Sequence, residues 1–92
     1  MTIGWTPKSL RAFKRLIRKN PQLRPLIAKT LQQLADDPFH PIRTHKLIRN
    51  LSDIWSCSID YSYRLLFEFV KNPESDFDAI LLLNIGTHDE VY

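Results

Sequence analysis

One cysteine, two glycines and no long apolar run are what this chain has little of. Each scarcity closes a class of structure. A lone Cys57 cannot make an internal disulfide, so a disulfide-stapled fold is excluded and a reducing cytoplasm fits. Cys57 as a catalytic thiol is the sharper reading, but it sits in a strand-like stretch, and a free Cys there is usually buried. There is no glycine-rich phosphate loop, no nucleophile elbow and no metal-ligand spacing. No run approaches the length that spans a bilayer, and "MTIGWTPKSL" lacks the apolar stretch of a signal peptide. The expectation is a cytoplasmic protein with no metal, no cofactor and no membrane partner.

What is present fits one small domain over residues 1–92, with one hydrophobic core. The net charge of +3 hides an asymmetry. Residues 1–50 hold eleven Lys or Arg against two Asp, a net +9, and residues 51–92 hold two against eight Asp or Glu, a net −6. A basic face for a polyanion is one reading of this, and merely solvated helix charges are the other.

Periodicity sets the elements. "TIGW" reads as a short strand with Ile3 and Trp5 on one face. Thr6 caps a following helix, and Pro7 suits its first position, where the missing N–H would be unpaired anyway. Leu10, Phe13, Leu16 and Ile17 form the apolar face of this helix, and Lys8, Arg11, Arg15, Arg18 and Lys19 its basic stripe. "NPQLRP" breaks it. A second helix carries Leu23, Leu26, Ile27, Leu31 and Leu34 inward and ends at "DDPFHP". The two should form an antiparallel hairpin.

The remainder reads as sheet. Trp55, Cys57 and Ile59 alternate with serines, and Asp60 to Ser62 form a tight turn. Tyr63, Leu65, Phe67 and Phe69 share one side of the next strand, and Arg64, Leu66, Glu68 and Val70 the other. "AILLLNIG" is nearly all apolar, as a central strand should be. The expected fold class is α+β: an N-terminal strand, a helical hairpin, then a three-stranded antiparallel meander in one twisted sheet with the helices on one face.

Few residues are left for chemistry. Arg64 begins an apolar strand, where a guanidinium needs a partner or an open groove; it is either a phosphate clamp or half of a salt bridge to Asp60 or Glu68. His88 is a candidate for chemistry or a surface histidine beside Asp89, and His40 is a loop residue. Arg43, Lys46 and Arg49 cluster about His45.

As a set, the early strand ending in Trp5, the basic helices, "HKLIRNLSDIWSCSI", "YRLLFEF" and "LLLNIGTHDEVY" resemble a toxin of the RelE/ParE superfamily, in the branch that includes YafQ and YoeB. The similarity covers essentially the whole chain. "NLSDIW" departs from it, because the family often has Gly near Asp53. The resemblance implies the toxin of a bacterial type II toxin–antitoxin module, an endoribonuclease that cuts mRNA on the ribosome without a metal. It implies His45, Arg64, His88 and Tyr92 as catalytic residues, with His45 as base and His88 as acid or the reverse. Lys46 is then a second cation, and Arg43, Arg49, Arg11, Arg15 and Arg18 are contacts to mRNA or ribosomal RNA. The implied partners are a cognate antitoxin and the ribosome, and the free toxin is expected to be a monomer. A ParE-like gyrase poison and an inactive antitoxin-binding relative are the alternatives.

Overall fold

The computed structural model describes residues 2–37, 44–47, 54–71 and 78–91; for residues 44–47, 78 and 88 the description is of the backbone alone. The order is β1 (Thr2–Trp5), α1 (Pro7–Lys19), α2 (Leu23–Asp36), β2 (Thr44–Leu47), β3 (Ile54–Ser58), β4 (Tyr63–Lys71), β5 (Asp78–Thr87) and α3 (His88–Val91). The strands make one mixed sheet in the order β1-β5-β4-β3-β2. The α+β class and the antiparallel β3-β4-β5 meander are as expected. The sheet also has β2, which extends it antiparallel to β3, and the chain turns into α3 after β5.

The start of α1 follows from three residues. Thr6 is in extended backbone, its hydroxyl accepts from the Ser9 N–H at 3.1 Å, and Pro7 opens the helix. The same hydroxyl donates to the Leu82 carbonyl at 2.9 Å, so the cap also ties the helix to β5. Arg18 and Lys19 in the last turn complement the carbonyl end of the helix. α2 begins without a side-chain cap. Pro25 lies in its first turn, where the absent N–H costs no helical bond.

One face of the sheet and both helices share a single core. Phe67, Ile80 and Leu82 are fully buried, and Ala12, Leu23, Ile27, Leu34, Cys57, Leu65 and Ile85 pack with them. Cys57 is thus a core side chain, and the buried reading holds over the catalytic one. Two expected core residues are outside it: Leu10 is 38% exposed and Leu26 40%. The buried positions of α1 are instead Ser9 and Ala12, both small.

The apolar run of β5 does not alternate, and a register shift explains why. Leu66 pairs with Asn84 but Phe67 pairs with Leu82, leaving Leu83 as an extra residue on β5. Core-facing positions therefore fall at Ile80, Leu82 and then Ile85. β1 runs parallel to β5 only as far as Trp5 opposite Leu82. Past that point α1 replaces β1 as the neighbour of β5, and the Ile85 N–H is bonded by the Asn84 side chain at 2.9 Å.

Candidate functional site

The sheet register brings several of the candidate positions to one end of the molecule. β2 begins, β3 ends, β4 begins and β5 ends there, as the pairs Thr44 with Cys57, Cys57 with Leu65, and Leu65 with Ile85 show. Position 45 lies opposite Ser56, and Ser56 opposite Leu66. Arg64 is two residues from Leu66 on the same strand, opposite Ser58 on one side and Gly86 on the other. Two strand spacings separate positions 45 and 64, about 10 Å across the sheet. His88 follows two residues after Gly86, at the start of α3.

Arg64 lies on the face of β4 opposite the core residues Leu65 and Phe67, and it is partly exposed. Its Nη1 donates to the Ser58 hydroxyl at 3.2 Å. Asp60, one of the proposed salt-bridge partners, is engaged otherwise: its Oδ1 accepts from the Ser62 and Tyr63 amides at 2.8 Å each and builds the β3–β4 turn. Among the described residues the guanidinium is held by a neutral hydroxyl, which uses one of its five N–H donors.

The expected RNA contacts Arg11, Arg15 and Arg18 are all exposed on α1. Arg11 and Arg15, with Lys8, line a groove of about 390 Å³ between α1 and the end of β5, floored by Asn84 and Ile85. A second cavity of about 220 Å³, also lined by Arg15, reaches Lys19, Tyr63 and Gly86. The Asn20 amide meets the Tyr63 hydroxyl at 3.4 Å, so the last turn of α1 lies over the beginning of β4. The basic end of α1 and the guanidinium strand therefore share one end of the fold. For His45, Lys46 and His88 only the backbone position is known, and Arg43, Arg49 and Tyr92 lie outside the described residues.

The turn after β5 contains a residue that the sequence reading passed over. Glu90 accepts from the Thr87 N–H at 3.0 Å, and its own N–H reaches the Thr87 hydroxyl at 3.4 Å. This is a reciprocal capping box, and its signal, Thr-x-x-Glu in "THDE", is legible in the sequence. The Thr87 amide, then the Thr87 hydroxyl, and then Arg15 and Lys19 across the groove hold the Glu90 carboxyl below the usual carboxylate range, against some desolvation. Glu90 lines both cavities. Gly86 has no positive φ. It is a site of close approach: a Cβ there would lie 3.2 Å from the Glu90 Cβ.

No family model matches the sequence, and no curated protein matches it. Solved structures do. A YoeB/ParE toxin from Agrobacterium tumefaciens superposes with a TM-score of 0.78 over 96% of this chain and 99% of its own, at 16% identity. A metal-bound toxin from Helicobacter pylori gives 0.78 over 100% and 99%, at 26% identity. A YoeB dimer from Staphylococcus aureus gives 0.74 over 96% and 97%, at 19% identity.

Proposed function

Starting from a fold shared with YoeB- and ParE-type toxins, we propose that this chain is the toxin of a toxin–antitoxin pair, a single domain that cleaves mRNA on the ribosome. Cleavage without a metal has three requirements. The ribose 2′-hydroxyl must lose its proton and be aimed at the adjacent phosphorus. The charge gathering on the phosphoryl oxygens must be stabilised. The departing 5′-oxygen must receive a proton. Two imidazoles can divide the proton transfers, because histidine titrates near neutrality. His45 takes the 2′-hydroxyl proton as O2′ bonds to phosphorus, and His88 protonates the 5′-oxygen as its bond to phosphorus breaks; the two roles can be exchanged. Arg64, assisted by Lys46, offsets the charge on the phosphoryl oxygens. Tyr92 stacks on a base or donates to the phosphate. Arg11, Arg15, Arg18, Arg43 and Arg49 hold RNA backbone, which gives affinity without reading sequence.

One observation carries this reading. Arg64 stands partly exposed on the strand beside the end of β5, bonded to a serine hydroxyl, on a fold shared with solved toxin structures. The antitoxin is a protein that covers this end, and the toxin is cytoplasmic, where mRNA is. Among the described residues, no helix is long and apolar enough to cross a membrane. The deciding experiment adds purified protein to a translation reaction and maps message ends by primer extension. New 5′ ends within codons are expected. Intact message together with inhibited gyrase supercoiling would replace this reading with the gyrase one.

A further inference from the structure

We propose that Glu90 is a positioning residue that fixes where His88 is held, acting through Thr87 on one side and the cations of α1 on the other. The inference rests on His88 being a proton-transfer group, and it adds the device that orients it.

α3 is a single turn of four residues, His88–Val91. A turn that short has no helical stability of its own, because nucleation is unfavourable and few bonds follow it. Something outside the turn must hold it. The two bonds between Thr87 and Glu90, at 3.0 and 3.4 Å, close a ring of chain that contains His88 and Asp89. The His88 backbone is therefore fixed from both flanks. The cap is in turn set against β5 and faces α1. On β5, Gly86 lets the Glu90 side chain lie against the strand, with Oε1 only 3.3 Å from where a Cβ would be. On α1, Arg15 and Lys19 line the same cavity as Glu90 and attract its carboxylate. The Arg64 strand pairs with Gly86, so the same glycine that admits Glu90 faces the proposed phosphate-holding residue. An imidazole on an unfastened chain end would sample many positions. On this turn the His88 backbone is referred to Arg64 through one strand pair, Gly86 with Arg64.

A merely structural cap would stabilise the fold without moving the imidazole. The experiment therefore reads both. Four full-length variants are compared with the parent: Glu90→Ala, Glu90→Gln, Thr87→Val and Thr87→Ser. The first readout is the NMR spectrum of the His88 imidazole with relaxation of the residue 87–91 amides. The second is message cleavage, resolved into kcat and KM. Glu90→Ala and Thr87→Val should broaden or shift the His88 signals, mobilise the 87–91 amides and lower kcat about tenfold or more, with KM nearly unchanged. Thr87→Ser can still form the box and should keep the ordered turn and most of the kcat, whereas Glu90→Gln keeps an acceptor but loses the charge that Arg15 and Lys19 attract and should fall between Thr87→Ser and Glu90→Ala. Unchanged His88 signals and unchanged kcat in Glu90→Ala and Thr87→Val would overturn the proposal. So would equal losses in all four variants. If the parent protein cleaves no message, the nuclease reading fails on its own, and the imidazole spectra still decide whether Glu90 positions His88.

Discussion

Arg64 is the residue on which the proposed chemistry turns. Its Nη1 bonds a neutral serine hydroxyl at 3.2 Å. Replacing it by Ala should abolish growth arrest on induction while changing the denaturant midpoint little, because the side chain lies outside the core. Arg64→Lys should restore only part of the toxicity, since an ammonium cannot make the same planar two-point contact. Full toxicity in Arg64→Ala would remove the residue from the site. Gly86→Ala makes a second residue-level test. Its new Cβ would lie 3.2 Å from the Glu90 Cβ, so the turn must move away, at a cost of about 1–3 kcal/mol in overpacking. A melting curve and the residue 87–91 amide signals would show it. Glu90 also sets a pH dependence. Its folded pKa is lowered, chiefly by the Thr87 amide and hydroxyl and then by Arg15 and Lys19. Its contribution to the ordered turn is therefore complete above the ordinary carboxylate pKa and is lost as pH falls through the lowered value. The residue 87–91 amides should become mobile on acidification in the parent, and be mobile at every pH in Glu90→Ala.

Among the elements, α1 carries most of the design. Thr6 caps the helix through Ser9 and bonds the Leu82 carbonyl of β5, so one hydroxyl serves two junctions. Thr6→Ala should cost about 1–2 kcal/mol in urea unfolding, and Thr6→Ser should recover most of it. This cap and Pro7 were legible in the sequence because capping chemistry is local. The Trp5–Phe13 ring contact, with centroids 5.0 Å apart, also follows from the periodic pattern. Less legible were Ser9 and Ala12. Small side chains carry little hydropathy signal, yet these are the buried positions of α1. Leu10 and Leu26 failed as core residues for the opposite reason: they fit the helical period but lie at its margin, where neither helix nor sheet covers them. β2 had no pattern of its own. "THKL" is four residues, without the alternation of a half-buried strand, and it exists by pairing with β3. For the site, Arg64 stood out because a cation in an apolar strand is conspicuous. Glu90 was passed over because "HDEV" reads as an ordinary polar chain end unless Thr87 is counted with it.

On the scale of the whole molecule, charge and chain order matter more than any one contact. The basic side chains of α1 lie beside the cavities that lead to the Arg64 strand, so RNA affinity should be salt-dependent. Arg11→Gln and Arg18→Gln together, with Arg15 left in place for Glu90, should weaken binding to single-stranded RNA. They should also reduce the slope of log K against log salt by about 0.7 for each lost phosphate contact. Filter binding across a salt series measures both. An unchanged slope would take α1 out of the interface. Chain order has a different consequence. β5 is made after the strands on both its sides, and β1 and β4 meet only through it. While a new copy is being synthesised, β1 has no sheet partner and the Thr6 hydroxyl has no Leu82 carbonyl to bond. A nascent chain stopped short of β5 is an incomplete sheet without the turn that carries His88. On the proposed function, the ribosome making this protein meets no finished cutting surface until translation has passed the last strand, and a prematurely terminated copy should be harmless to the cell that made it.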